Sequence, residues 1–248
     1  MTTALVLAGT RRGGDPFAQA HGVSHKSLIE VGGQLIIERV LAALAEAGIS
    51  RITVSTNDDE VARRASTMGA EILPARSGPS ESVAAAMEIL GTPLVVTTSD
   101  HALLRAEWVE QLLADAPLSA DVGMMMARRE LVEAALPGSQ RTYLTFGDGG
   151  WSGCNLFLLQ TPKAAIAIDL WRSIEADRKR PWRIAARLGP ATLLAMVFRR
   201  LTLAEGIRRL GQRIAIEAAL VPARDGLAAV DVDKEADLAA VRKILEER

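Results

Sequence analysis

LVVTTSD, residues 94–100, is the stretch of sequence from which the fold can be predicted. Its apolar and β-branched residues are typical of a strand buried inside a parallel sheet, and residues 105–113 are predicted to form the helix that follows. Ligands of open α/β sheets bind just beyond the carboxyl ends of the strands. Asp100 therefore stands where a carboxylate could hold a divalent cation with a polyphosphate, although an aspartate here could instead cap a helix or a turn.

Strands and helices alternate on both sides of this stretch, at a spacing that indicates a parallel sheet with crossover helices. After residue 121 the pattern changes to closely spaced strands, then to a mostly helical part, and the chain ends in an amphipathic helix. The other predicted strands are residues 3–8, 51–56, 70–73, 122–127, 141–146, 152–160, 213–221 and a short strand that leads to Asp231 and Asp233, and helices are predicted to begin near residues 34, 58 and 80.

Composition narrows the class of protein. The 248 residues, 49% of them hydrophobic, are enough for one large α/β domain or two small ones. The formal net charge of −1 and the lack of a long basic run argue against nucleic acid as the main partner. A single cysteine, Cys154, excludes a disulfide framework and points to a reducing cytoplasm. The first residues lack a charged region and a cleavage site, so we expect a strand there rather than a signal peptide.

Residues 9–16 are predicted to form a loop that is rich in glycine and charge. Gly9, Gly13 and Gly14 would allow backbone N–H groups to approach an anion closely. It is not a Walker loop, because no Gly-Lys-Ser/Thr follows, and it lacks the G-x-G-x-x-G dinucleotide fingerprint. Taken alone, this stretch predicts either a phosphate-binding loop or a flexible surface loop.

The order of several short motifs resembles that of a known family. LVLAG at residues 5–9 precedes the glycine/arginine loop, Lys26 precedes a short VGG turn and a helix, and DVDKEADL at residues 231–238 comes after the strand that ends at Asp100. Together these motifs resemble the nucleotidyltransferases of the molybdenum-cofactor guanylyltransferase-like group, over most of the chain except about residues 160–212.

The resemblance implies a fold and a domain organisation. The fold would be α/β, a Rossmann-like three-layer α/β/α sandwich of the nucleotide-diphospho-sugar transferase type, with a mixed, mostly parallel sheet. The whole chain, residues 1–248, would form a single nucleotidyltransferase domain with a helical insert at about 163–211.

The resemblance also implies an activity. An oxygen of a phosphorylated acceptor would attack the α-phosphate of a nucleoside triphosphate and release pyrophosphate, with Mg²⁺ as the cofactor. Because the attacking phosphate is already ionised, no general base is needed, and positioning and cationic stabilisation carry the reaction. Two alternatives stay open: a catalytically degenerate nucleotide-binding protein, and a glycosyltransferase of the same fold, which would carry D-x-D where this chain has Ser99-Asp100-His101.

Individual residues take roles from the same resemblance. Lys26 matches the lysine that neutralises charge at the α-phosphate, and Asp100 matches the first metal-binding aspartate. Asp233, or alternatively Asp231, matches the second metal-binding position, although either could merely cap the last helix. The nucleotide is expected to contact the backbone of Leu7, Ala8 and Gly9, the loop residues Thr10, Arg11, Arg12 and Gly13, and the side chain of Ser82.

The first loop departs from the family pattern, because Thr10 replaces a glycine and Lys26 follows an insertion at residues 15–25. The departure leaves open whether Arg11 or Arg12 is the catalytic arginine that holds the triphosphate. It also suggests a lid or a contact with the acceptor in this insertion.

Three further residues lie near these motifs: Asn155, His101 and Cys154. Asn155, in the pattern G-x-N before an apolar strand, stands where this fold often contacts the acceptor or the sugar of the nucleotide. His101 directly follows Asp100, and we favour a local hydrogen bond over a catalytic role. Cys154 lies in a predicted strand, where a buried thiol is expected rather than a nucleophile.

Residues 183–209 combine an apolar piece with flanking arginines. The apolar residues 191–198 are too few to span a bilayer, but with these arginines they could lie on an anionic membrane surface. The alternative is a helical subdomain that packs on the sheet or on a second subunit. The sequence therefore leaves peripheral membrane contact and a homodimer open for a protein that we expect in the cytoplasm.

Overall fold

The computed structural model describes residues 2–10, 13–139, 141–177 and 201–247. The strands are β1 (Thr3–Ala8), β2 (Glu30–Val31), β3 (Gln34–Leu35), β4 (Arg51–Thr56), β5 (Glu71–Pro74), β6 (Leu94–Thr98), β7 (Val122–Arg128), β8 (Leu144–Phe146), β9 (Gly149–Leu159) and β10 (Ala218–Pro222). The helices are α1 (Pro16–Ala20), α2 (Ile36–Glu46), α3 (Asp59–Thr67), α4 (Pro79–Leu90), α5 (Ala106–Asp115), α6 (Arg129–Ala135), α7 (Ala164–Asp177), α8 (Leu203–Arg213) and α9 (Glu235–Glu246), and 3₁₀ helices form at Lys26–Leu28 and Gly226–Ala229.

One large sheet has the strand order β5-β4-β1-β6-β9-β7-β10. In addition, β8 pairs with the first residues of β9, before the part of β9 that pairs with β6. Neighbouring strands along this path are parallel except at β9, which runs antiparallel to β6 and β7. β2 and β3 form a separate two-stranded hairpin around the predicted glycine turn. The sheet is therefore mixed and mostly parallel, as predicted.

The core lies on both faces of this sheet, because successive residues of a strand point to opposite sides. In β1, Ala4 and Val6 belong to one apolar cluster, which includes Leu41 of α2 and Leu112 of α5. Leu5, between them, belongs to a second cluster with residues of α4 and α7. Helices thus cover the sheet on both faces, which confirms the predicted three-layer α/β/α fold.

Two of the predicted strands begin three or more residues later in the structure, and a third predicted strand is absent. Only Leu144–Phe146 is a strand within predicted residues 141–146. The predicted strand at 213–221 begins later, at Ala218, because Arg213 is still the last residue of α8. The short strand predicted before Asp231 and Asp233 is wrong. The side chain of Asp225 accepts a hydrogen bond from the N–H of Leu227 and starts a 3₁₀ helix, Gly226–Ala229, in its place.

The two ends of the predicted helical insert pack on the sheet. In α7, Trp171 stacks on Phe157 of β9 with ring centroids 6.3 Å apart, and in α8, Leu203 packs with Trp151 of β9. Residues 178–200 lie outside the described residues, so most of the arginines in the membrane hypothesis do too. Over the ranges that the structure describes, no helix has the length and apolar character needed to cross a bilayer.

Gly226 provides a test of how the end of the chain is positioned. A Cβ atom on Gly226 would lie 2.1 Å from the carbonyl oxygen of Leu131, so Gly226→Ala must displace backbone. We expect this substitution to lower the free energy of unfolding by about 1–3 kcal/mol, as overpacking does, in urea denaturation. Gly153→Ala is the control, because its Cβ would meet nothing nearer than the Met126 sulfur at 3.9 Å. Equal stability of the two variants would contradict this packing.

Candidate active site

The ends of β1, β4 and β6 are joined at one edge of the sheet. The carbonyl of Leu7 accepts a 3.0 Å hydrogen bond from the N–H of Ser99, and Thr56 Oγ1 donates a 2.9 Å hydrogen bond to the carbonyl of Ala8. The glycine loop after β1 and the Asp100 turn after β6 therefore start side by side.

Lys26 reaches this edge from a short 3₁₀ helix that His25 caps. The His25 Nδ1 accepts a 3.1 Å hydrogen bond from the N–H of Ser27, and burial is the main cause that lowers the pKa of His25. A neutral imidazole keeps the Nδ1 lone pair that this cap needs. The direction in which the Lys26 side chain leaves the backbone is thus fixed by its two neighbours.

The Lys26 ammonium lies between two carboxylates. Lys26 Nζ is 2.6 Å from Asp100 Oδ2 and also donates to Asp233 Oδ1. Burial opposes the charged form of Lys26, but the attraction and hydrogen bonds of Asp100 and Asp233 outweigh it and raise the pKa. Thr98 Oγ1 donates a 2.5 Å hydrogen bond to the other oxygen of Asp100. This arrangement is a charged cluster with one cation and two anions.

Backbone hydrogen bonds bring Asp233 to this cluster. The N–H of Val232 donates a 3.0 Å hydrogen bond to the carbonyl of Asp100. The side chain of Asp237, in the first turn of α9, accepts hydrogen bonds of 3.2 Å from the N–H groups of Asp233 and Lys234. Asp233 is consequently held beside Asp100, although 133 positions separate them in the sequence.

A cleft of about 960 Å³ opens beside the cluster. Seven residues that the sequence predicted for the site line it together: Leu7, Gly9, Thr10, Lys26, Ser82, Asp100 and Asp233. Ala8, which was also predicted, is buried and does not line the cleft. The remaining lining residues are Gly14, Asp15, Pro16, His25, Ser55, Arg76, Ser77, Gly78, Pro79, Thr98, Ser99 and Glu175.

The glycine loop is anchored by a residue that sequence reasoning missed. The N–H of Thr10 donates a 2.9 Å hydrogen bond to Asn57 Oδ1, and Asn57 Nδ2 donates a 3.2 Å hydrogen bond to the carbonyl of Thr10. Asn57 directly follows β4, but its position in the sequence does not reveal this contact with Thr10. Gly13 is next to the cleft residue Gly14 and has φ +101°, which favours glycine. Arg11 and Arg12 lie outside the described residues, so their predicted roles stay predictions.

The inserted segment at residues 15–25 contains α1, which begins where the side chain of Asp15 accepts a hydrogen bond from the N–H of Phe17. His21 Nε2 lies 2.9 Å from Glu235 Oε2 at the start of α9. The insertion therefore connects the segment that carries Lys26 with the segment that carries Asp233.

A second pocket of about 420 Å³ shares Asp233 with the cleft. Asn155 lies in this pocket and not in the larger cleft, with φ +50° where the pairing of β7 and β9 is irregular. Bulges of this kind re-aim side chains next to sites. The other residues that line the pocket are Arg141, Thr142, Leu144, Ser152, Gly153, Lys234 and Asp237.

Asp231 has different partners from Asp233. It forms an ion pair with Arg141 and accepts a 2.7 Å hydrogen bond from Asn155 Nδ2. Burial opposes the charge on Arg141, but the hydrogen bond and charge of Asp231 raise its pKa. Asp231 lines neither pocket. Of the two aspartates that the sequence left open, the structure brings Asp233 to Lys26 and Asp231 to Arg141, a residue that sequence reasoning missed.

His101 and Cys154 are both part of the interior. The His101 ring is 1% exposed and stacks on Trp108 with centroids 5.8 Å apart. This packing fits the predicted non-catalytic role, although a ring stack takes the place of the local hydrogen bond that we favoured. Cys154 is buried, as predicted, and burial raises the pKa of its thiol.

The residues at the cluster fit a magnesium ion. Asp100 and Asp233 converge on a single cation, the Lys26 ammonium. Within the described ranges no group of three or more His, Cys, Asp or Glu residues could hold a metal ion. Mg²⁺ in phosphate-transferring sites typically takes one or two carboxylates and completes its coordination with water and substrate oxygens. Two carboxylates beside an open cleft match that donor set.

Comparisons with known proteins identify a family and several similar structures. The family model described as MobA-like NTP transferase domain matches residues 4–212. A hypothetical transferase structure from Thermus thermophilus is 31% identical, with a TM-score of 0.82, and the match covers 96% of this chain and 100% of that one. A search of curated proteins by sequence found no match.

Two more distant structures share the fold. CMP:2-keto-3-deoxy-manno-octonic acid synthetase, solved with CTP, is 15% identical with a TM-score of 0.57, and the match covers 99% of this chain and 98% of that one. The 2-C-methyl-D-erythritol 4-phosphate cytidylyltransferase from Thermus thermophilus is 15% identical with a TM-score of 0.54, covering 99% of this chain and 100% of that one.

Burial of His101 predicts a pH dependence of stability. Burial is the largest cause that lowers its pKa to about 4, whereas an unfolded histidine titrates near 6.5. The unfolded chain therefore binds an extra proton as the pH falls from 6.5 towards 4. Between pH 7 and pH 5 this group lowers the free energy of unfolding by about 2 kcal/mol. Urea denaturation at the two pH values should show that His101→Phe loses less stability than the wild type. An equal loss in both proteins would refute the assignment.

Proposed function

Because the chain belongs to the MobA-like NTP transferase family, we propose that it transfers a nucleoside monophosphate group from a nucleoside triphosphate to a phosphorylated acceptor. The observation that carries this proposal is the position of Lys26 between Asp100 and Asp233 at the large cleft. An ammonium and two carboxylates at a sheet edge suit a reaction in which several negative charges must meet.

The chemistry is a substitution at phosphorus. An acceptor phosphate oxygen forms a bond to the α-phosphorus, the bond from that phosphorus to the bridging oxygen breaks, and pyrophosphate leaves with the electron pair. The acceptor oxygen is already ionised, so the barrier comes from charge repulsion and alignment. Lys26 is the residue placed to stabilise the charge that gathers at the α-phosphate.

Asp100 and Asp233 would hold Mg²⁺, which supplies positive charge to the triphosphate when it is bound. In the structure these two carboxylates share one ammonium, that of Lys26, instead. If a bound metal balanced their charge, the Lys26 ammonium would be available to the nucleotide. The same two carboxylates therefore account for both the protein's ion pair and its predicted metal site.

The smaller pocket is the proposed acceptor site. It shares Asp233 with the nucleotide cleft, so an acceptor there is adjacent to the reacting phosphate. Arg141 offers a planar guanidinium, which suits bidentate hydrogen bonding to a phosphate. The ion pair with Asp231 holds this guanidinium in place. Hydroxyl and amide groups of Thr142, Ser152 and Asn155 line the same pocket and suit a hydroxylated acceptor.

A glycosyltransferase is less well supported. Its D-x-D motif needs two aspartates separated by one residue, whereas the stretch here is Ser99-Asp100-His101, and His101 is packed on Trp108. Retention of Lys26, Asp100 and Asp233 in one cluster also favours an active enzyme over a degenerate nucleotide-binding protein. The single-domain organisation, the cytoplasmic location, the homodimer and the membrane contact stay predictions.

Lys26→Ala tests the reaction directly. We expect it to lower kcat/KM for pyrophosphate release about a hundredfold or more, since charge stabilisation at the reacting group has effects of that size. The assay would pair CTP, GTP, ATP and UTP, each with Mg²⁺, with a panel of phosphorylated alcohols and sugars. Lys163→Ala, at an exposed lysine away from the cleft, is the matched control. Full activity of Lys26→Ala in a turning-over reaction would exclude this mechanism.

Arg141→Ala tests the acceptor site separately. Loss of the guanidinium should raise the KM for the acceptor about tenfold or more, because charged hydrogen bonds of this kind contribute roughly 1.5–3 kcal/mol, while nucleotide binding stays close to that of the wild type. Nucleotide affinity by calorimetry and acceptor KM by pyrophosphate release would separate the two effects. Arg172→Ala, at an exposed arginine, is the control. A raised nucleotide Kd with an unchanged acceptor KM would reverse the assignment of the pockets.

A further inference from the structure

Four carboxylates line the nucleotide cleft, and the proposed reaction uses two of them. Asp100 and Asp233 hold Lys26, and Asp15 caps α1. The fourth is Glu175, which comes from α7 and has no part in the transfer chemistry. The loop before α4 lines the same part of the cleft with Arg76, Ser77, Gly78 and Pro79.

Glu175 is held at the start of α4. Ser80, which is fully buried in the first turn of that helix, donates a hydrogen bond from Oγ to Glu175 Oε2. A Cβ atom on Gly78 would lie 3.3 Å from the same oxygen, so the carboxylate is close against the loop before α4. One oxygen is therefore held by Ser80, and no described residue donates a hydrogen bond to the other, Oε1.

The loop beside Glu175 has a fixed shape. The N–H of Arg76 donates a 2.9 Å hydrogen bond to Ser82 Oγ, which donates in turn to the carbonyl of Gly78 at 3.0 Å. Arg76, Gly78 and Ser82 all line the cleft. Ser82, which the sequence predicted to contact the base or ribose, thus shapes the wall on which a base would lie.

This wall is at the far end of the cleft from Lys26. The loop follows β5, and Asp100 follows β6, with β4 and β1 between these two strands. Three strand spacings amount to about 14 Å. A nucleotide whose α-phosphate is at Lys26 can extend across β1 and β4, which brings its base to the loop and to Glu175.

We propose that Glu175 accepts a hydrogen bond from an amino group of the base, and so selects nucleotides that carry one. A carboxylate is only an acceptor. Cytosine, adenine and guanine each carry an exocyclic amino donor, whereas uracil, like thymine, carries carbonyl oxygens instead. The donor on the uracil edge is the ring N3–H, which lies between two carbonyl oxygens that would repel a carboxylate. An exocyclic amino group would therefore satisfy Glu175 better than uracil does. The inference rests on the proposed function, because it requires the cleft to bind a nucleotide.

Calorimetric titration of the full-length protein with CTP, ATP, GTP and UTP, each with Mg²⁺, tests this inference. We expect at least one of the three amino-bearing nucleotides to bind about tenfold or more tightly than UTP, because an interaction between a site and a base edge discriminates by such factors. In Glu175→Gln the side chain offers both a donor and an acceptor, so the preference over UTP should largely disappear.

Two further variants keep the result interpretable. Glu88→Gln makes the same chemical change at an exposed position of α4 and should keep the preference. Ser80→Ala keeps the Glu175 side chain but removes the hydrogen bond that positions it, and should therefore weaken the preference. This variant tests the inference even if Glu175→Gln fails to fold. UTP binding as tightly as the other nucleotides in the wild type, or an unchanged preference in Glu175→Gln, would overturn the role of Glu175 and leave the proposed function intact. Failure of all four nucleotides to bind would overturn the proposed function itself.

Discussion

The ammonium of Lys26 between the carboxylates of Asp100 and Asp233 is the interaction on which the site depends. The three residues come from the first, middle and last parts of the chain, so their meeting requires the whole sheet to form. Two carboxylates this close would repel each other without a cation between them. The protein meets that requirement with its own lysine, and the same geometry suits a metal ion once a triphosphate arrives.

Asp233 lies between the two pockets and lines both of them. It faces the nucleotide cleft on one side and the smaller pocket on the other. Asp231, two positions earlier, has a different task, because its carboxylate balances Arg141 and binds Asn155. A short segment after the Gly226–Ala229 turn thereby serves both proposed substrates. The turn itself depends on close packing against α6, which has no role in the chemistry.

The sequence was sufficient where the signal was local. The apolar runs of β1, β4 and β6, and the aspartate that follows β6, are patterns of neighbouring residues, and the family motifs added Lys26. Arg141, Asn57 and Glu175 could not be found in the same way. Each acts through a contact with a distant segment: Arg141 with Asp231, Asn57 with Thr10 and Glu175 with Ser80. The choice between Asp231 and Asp233 likewise depended on the 3₁₀ helix Gly226–Ala229, which forms where the sequence predicts a short strand.

We propose that Asp100 and Asp233 bind the metal that accompanies the nucleotide. Electron paramagnetic resonance of Mn²⁺, titrated into the protein with a non-hydrolysable nucleoside triphosphate, measures that binding without turnover. We expect one tightly bound Mn²⁺, whose binding is lost in Asp100→Asn and strongly weakened in Asp233→Asn, but retained in Asp231→Asn. Equal Mn²⁺ binding by Asp100→Asn and the wild type would contradict it.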